Sequence, residues 1–351
     1  MSDWRTNAMA ALACGAVAMA QPAVHAETVD ELYQKARAEQ ALVFYSGGPV
    51  APYEQWAKEF KERFPGITVS ISGGFSNVLN EKINQQLAAG KLEVDLAILQ
   101  TAQDFVAWKK VGALMRFEPE GIDKVDPRFR DADGTFTATS VILLSYAYNP
   151  KLVAAGDVPK GALDFLKPQF AGKVVAAYPH DDDATMFVFH DIVKKHGWDY
   201  MTKFMATKPT FIQGHLGVLR SIAEGKHTVT FDSTSSTTAG LKAAGQPIEF
   251  AFPESEIMPV FYVTAGIFKD APHPNAAKLF LTWYLAKEQQ SRLSSYSPRT
   301  DVPPPAGLKP LSALNIDYGY RDFVTDEALM ADLRKRFEAY TGPVVNRGGV
   351  R

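Results

Sequence analysis

The stretch Lys226-His-Thr-Val-Thr-Phe-Asp-Ser-Thr-Ser-Ser-Thr-Thr238 carries three signals in succession. Thr228 to Phe231 is a β-branched and aromatic run of the kind that forms a buried strand. Asp232 and six consecutive hydroxyl residues, Ser233 to Thr238, follow it. Ala239 to Ala244 then has helical character and stops at Gly245. Strand, polar tip and helix form the junction at which open α/β sheets hold ligands. The same residue types also cap helices in ordinary solvated loops, so this stretch alone supports either reading.

Outward from it, the junction recurs. Leu42 to Tyr45 is an apolar strand broken by Ser46-Gly-Gly-Pro49, and Tyr53 to Phe64 is an amphipathic helix ended by Pro65-Gly66. Ile67 to Ile71 is a strand leading through Ser72-Gly-Gly-Phe-Ser-Asn77 into a helix over Val78 to Ala89. Val94 to Leu99 leads through Gln100-Thr101 into a helix over Ala102 to Val111. Such alternation predicts a parallel sheet with helices on its faces. After a long strand, Val141 to Tyr148, the cycle restarts: Lys173 to Ala177, the turn Tyr178 to Asp183, and a helix over Ala184 to His196. Ile248 to Phe252 and Val260 to Ile267 read as strands that return the chain to its first half. Glycines at these tips admit a ligand to the backbone, hydroxyls offer neutral hydrogen bonds, and helix N-termini present N–H groups to an anion.

A chain of 351 residues suits two lobes better than one core. With 37 basic and 39 acidic side chains, no net field draws nucleic acid or an anionic membrane. At the N-terminus Arg5, an apolar run from Ala8 to Ala20 and Ala23-Val-His-Ala26 have the form of an export signal cut after Ala26. The only cysteine, Cys14, lies inside it, so the processed chain would carry neither disulfide nor thiol nucleophile. An exported, thiol-free protein fits the bacterial periplasm.

No G-x-S-x-G elbow, H-E-x-x-H, Walker A or G-x-G-x-x-G motif occurs. Asp181-Asp-Asp183 either complements a helix dipole or, with His180 and Asp232, offers hard donors to a metal. Tyr178 and Tyr262 either stack on a ligand or belong to the core. His215 reads as a cap neighbour or a buried histidine.

Several segments together carry a family resemblance: Leu42-Val-Phe-Tyr-Ser-Gly47, Lys173-Val-Val-Ala-Ala177, Ala271-Pro-His-Pro-Asn-Ala-Ala-Lys278, Glu288-Gln-Gln290 and Ser297-Pro-Arg299. The chain resembles bacterial extracellular solute-binding proteins of ABC importers, above all their ferric-ion-binding branch. That resemblance implies an α/β, two-lobed periplasmic-binding-protein fold, each lobe a mainly parallel sheet flanked by helices, with the ligand cleft between lobes. It also implies that no chemistry is done on the ligand. Residues 27–143 with 261–351 are expected to form one lobe and 144–260 the other. Ferric-binding relatives carry two adjacent tyrosines after the strand that here ends at Phe231, where this chain has Asp232 and Ser233.

The expected cargo is a small organic anion or zwitterion, with a ferric or other metal ion held by His180, Asp181 and Asp232 as the alternative and a secreted hydrolase as a more distant one. The expected ligand-binding residues are Ser46, Gly47, Ser76, Asn77, Thr101, Tyr178, His180, Asp181, Asp232, Ser233, Thr234 and Tyr262. Asp232 is assigned to a ligand amine. The expected partners are the solute and an inner-membrane permease. Neither a cofactor nor nucleic acid is expected, and a monomer is the default.

Overall fold

The computed structural model describes residues 27–48, 50–254 and 256–345. The expected export signal, residues 1–26, lies outside the described residues. Helix α1 (Val29–Glu39) begins with a capping box, in which Thr28 Oγ1 accepts from the Glu31 amide at 3.3 Å and Glu31 accepts from the Thr28 amide at 2.9 Å. Its buried Leu32 and Ala36 belong to the main hydrophobic core.

Three strands, β1 (Ala41–Gly47), β2 (Thr68–Gly74) and β3 (Leu96–Leu99), lie parallel in the order β2-β1-β3. The helices α2 (Ala51–Arg63), α3 (Ser76–Ala88) and α4 (Ala102–Lys110) follow them in turn. A parallel pair needs such a crossover, which is why apolar strand and amphipathic helix alternate here. Next come β4 (Thr137–Tyr148), β5 (Val175–Ala177), α5 (Asp183–His196), α6 (Asp199–Ala206) and β6 (Thr210–Ile212). They are followed by α7 (His215–Ala223), β7 (Val229–Thr234), α8 (Ser235–Ala243), β8 (Glu249–Ala251) and β9 (Met258–Ile267). The chain then runs through α9 (Pro274–Leu285), α10 (Lys287–Gln290), β10 (Ile316–Asp317), α11 (Tyr320–Thr325) and α12 (Glu327–Thr341).

Strands β4 and β9 join the halves. Residues 137–143 of β4 pair antiparallel with residues 260–265 of β9, and β9 continues beside β3. Beyond that point, residues 144–148 pair antiparallel with β7 and β8. A bridge from Val174 to Val229 sets β5 parallel to β7, and β6 is parallel to β5. The result is the expected two-lobed α/β architecture, but with mixed sheets, because the shared strands β4 and β9 run opposite to their neighbours.

The hydroxyl run behaves differently from the expected loop. Strand β7 continues through Asp232, Ser233 and Thr234, and α8 starts at Ser235. Ser235 Oγ accepts from the Leu143 amide at 3.1 Å, and the Ser233 and Thr238 hydroxyls bond at 2.7 Å. Packing and internal hydrogen bonds thus outweigh the weak helix propensity of Ser and Thr. The chain end also departs from expectation. Helix α11 packs against both α4 and α5, and α12 against α5 and α6, so part of 261–351 rides on the helices between β4 and β9. Trp198 stacks on Tyr340 at 6.0 Å, and Phe189 meets Phe337 at 5.6 Å across that contact.

The segments that carried the resemblance brace the fold. Fully buried Asp95 accepts from the Val43 and His273 amides, both at 2.7 Å, which locks the Ala-Pro-His-Pro turn to the sheet. Arg299 is buried, bonds both Asp301 oxygens at 2.9 Å and donates to the Leu285 carbonyl at 3.1 Å.

Candidate functional site

The C-terminal ends of β1, β2 and β3 form one rim. Ser46 is fully buried and its Oγ has no hydrogen-bond partner. Gly47 is closely enclosed: a Cβ there would lie 2.4 Å from Ser76 Oγ. Gly48 has φ +86°, a left-handed conformation that favours glycine. Ser76 Oγ accepts from the Gln100 amide at 3.2 Å, tying the β2 and β3 ends together. Asn77 Oδ1, inside the first turn of α3, accepts from the Val78 amide at 3.0 Å. Thr101 donates to Asp104. No side chain caps α3 from Phe75, so the positive end of that helix is open to an anion.

The facing rim, at the ends of β5, β6 and β7, is held by charge. Asp232 is fully buried and accepts from the Ala177 amide at 2.8 Å, from Thr185 Oγ1 at 3.1 Å, and bonds His215 Nε2 at 3.0 Å. His215 Nδ1 lies 3.4 Å from Asp182. Burial opposes charge on His215, but the Asp182 and Asp232 carboxylates overcome it and raise the imidazole to about 9. Burial pushes the Asp182 carboxyl up, while the imidazolium pulls it down. Asp232, expected to meet a ligand amine, is therefore already engaged on both oxygens. Ser233 is turned to Thr238, and buried Thr234 keeps an Oγ1 without a partner at the uncapped start of α8.

The rims meet at a seam. Gln103 of α4 donates to Asp183 Oδ2 of α5 at 2.8 Å, and Arg334 of α12 donates to Asp183 Oδ1 at 2.8 Å. Burial pushes the neighbouring Asp104 up to about 7, and the Asp183 charge adds to this. Tyr320 of α11 is buried against Tyr262, with ring centroids 6.1 Å apart. Tyr262 also packs on Phe129 at 5.7 Å, and its hydroxyl is buried without a partner. Gln103, Tyr320 and the bridging role of His215 were not read from sequence; the first two carry no local motif.

The remaining residues sit apart from these rims' centres. Tyr178 is buried against Phe211, and His180 bonds Thr341 Oγ1 at 3.2 Å through Nδ1. Asp181 accepts from Gln213 at 2.9 Å. His180, Asp181 and Asp232 thus face three different partners, and among the described residues no group of three or more His, Cys, Asp or Glu is placed to hold a metal ion.

With this geometry, the chain belongs to the family of bacterial extracellular solute-binding proteins, whose model matches residues 55–313. The Fe(3+)-binding periplasmic protein of Serratia marcescens is 22% identical over 271 residues, covering 74% of this chain and 78% of that protein. The substrate-binding protein of an ABC transporter from Agrobacterium tumefaciens has the same fold, with a TM-score of 0.75 at 15% identity over 86% of this chain and 94% of that one. So does AfuA from Actinobacillus pleuropneumoniae, solved with exogenous fructose-6-phosphate, at a TM-score of 0.69 and 19% identity over 87% and 99%. These proteins differ in what they hold: Fe(3+) for the Serratia protein and fructose-6-phosphate in the AfuA structure.

Proposed function

We propose that this protein is the periplasmic solute-binding component of an ABC importer and captures a small organic anion between the two rims. The observation that carries this reading is the pairing of open helix starts with unpartnered buried hydroxyls. Helix α3 and Ser46 lie on one rim, and α8 and Thr234 on the other. Each supplies donors or positive potential without a carboxylate facing the ligand. The engagement of Asp232 with His215 favours an anion over a zwitterion, because the expected amine partner is already occupied.

In this reading residues 27–143 with 261–319 close on residues 144–260, which carry α12 with them, and the Gln103–Asp183 bond belongs to the closed state. Residues 1–26 direct export, the protein works as a monomer, and a membrane permease receives the cargo. A ferric cargo is the competing reading, favoured by the Serratia relative. A thermal-shift screen of the purified protein with carboxylates, phosphonates, sugar phosphates, amines and Fe³⁺ tests both, since a specific ligand raises the melting temperature by mass action. A shift with one organic anion that Thr234→Ala abolishes is the expected result. A shift with Fe³⁺ alone, accompanied by a visible charge-transfer band, would overturn it.

A further inference from the structure

A second cavity, of about 250 Å³, lies between α5, the far ends of β4 and β7, and the start of β9. Phe231 lines it, whereas the adjacent Asp232 belongs to the rim described above; successive strand residues point to opposite faces, so the two sites are separated by the sheet. Leu144, Val188, Ile192 and Met258 complete an apolar wall. Of the polar side chains that share the lining, two keep a buried polar atom without a partner. Tyr146 is only 5% exposed, and its hydroxyl has no hydrogen-bond partner. Asp191 Oδ2 is likewise buried and unpartnered, and the Asp317 carboxylate shares the lining.

We propose that this cavity is a binding site for a small organic amine with an apolar body, its ammonium held by Asp191 with the Asp317 carboxylate beside it and its body lying against Ile192 and Phe231. A cavity of about 150 Å³ suffices for a benzene ring, so the space here takes a ring with a short aminoalkyl arm. A carboxylate in apolar surroundings gains most from a cation that arrives with its own apolar surface. Glu256, on the same wall, is a weaker candidate because it already bonds Lys195 at 2.7 Å and the Ala162 amide at 3.1 Å.

The charge balance gives this site a signature. Burial pushes Asp191 up to about 7, the Asp317 carboxylate adds to the shift, and Lys194 opposes it. The other charged groups around the cavity are Lys195 on the same helix and Glu256 from the segment before β9. Binding an ammonium converts the Asp191 acid to carboxylate and releases one proton to solvent. Affinity therefore rises about tenfold between pH 6 and pH 8, where the amine itself stays charged.

Isothermal titration of the full chain with 2-phenylethylamine tests this, with 3-phenylpropionate as the oppositely charged match. The expected result is one-to-one binding of the amine that tightens about tenfold from pH 6 to pH 8, and no binding of the acid at this site. Asp191→Asn should remove the pH dependence and weaken binding at least tenfold at pH 8, and Thr234→Ala should leave it unchanged. Equal binding of both probes by Thr234→Ala, in which the rim site is disabled, no binding of the amine, or amine binding lost in Thr234→Ala but kept in Asp191→Asn would each overturn the proposal.

Discussion

The two rims solve one problem in different ways. At the ends of β1 to β3, glycine backbone is met closely by neighbouring side chains: Gly47 leaves room for Ser76, and Gly73 leaves room for Val50, whose Cγ1 would lie 2.3 Å from an added Cβ. At the ends of β5 to β7, the same closeness is enforced by a buried imidazolium between two carboxylates. The first device depends on space and is indifferent to pH. The second depends on charge, so it is stronger when complete and costlier when broken.

Removing Asp232 should break the charged rim outright. Asp232→Ala leaves the Ala177 amide without its acceptor and His215 with one carboxylate, and loss of one partner from a buried ion pair costs about 3–5 kcal/mol. Urea unfolding measures that loss. The sign with pH follows from the raised imidazole: its stabilisation is full below the unfolded histidine value and disappears as pH rises through about 9. The deficit of the variant should shrink accordingly in alkaline buffer, and NMR titration should find His215 below about 9 in the variant.

Asp104 is the exception on the neutral rim, and it sharpens the contrast. Its folded value near 7 means that the folded chain holds a proton that the unfolded chain has released. Stability should therefore fall as pH rises from about 4 to about 7 and level off above, by about 4 kcal/mol at most. Asp104→Asn should flatten that part of the melting-temperature profile. If the profile is unchanged, burial of Asp104 is not what governs it.

The smallest effect belongs to the rim built on space. Gly47→Ala sets a methyl group against Ser76 and should cost about 1–3 kcal/mol through displacement of Ser76 from Gln100. Adding Ser76→Gly relieves the clash without restoring the Gln100 bond, so it should recover only part of this, and equally at any pH. Recovery that varies with pH would contradict the distinction between the rims.

Strand and helix alternation was legible because period and punctuation are local: Leu42 to Tyr45, the glycines after it and the helix over Tyr53 to Phe64 announce themselves. Strand direction was not, since an apolar run such as Val260 to Ile267 reads alike in parallel and antiparallel sheets. The Ser233 to Thr238 run was read as a loop because its partners, such as the Leu143 amide, are distant in sequence. The role of Asp232 was hidden for the same reason: its bonds to Ala177 and Thr185 span 55 and 47 residues. Short α11, which brings Tyr320 to the seam, has too few turns for a periodic signal.

That same α11 has a mechanical consequence. The polypeptide passes between the halves three times, by β4, by β9 and finally by α11 into α12. Two adjacent antiparallel strands make a flexure that can both bend and twist. A third link, set beside α4 and α5, should resist the twist more than the swing.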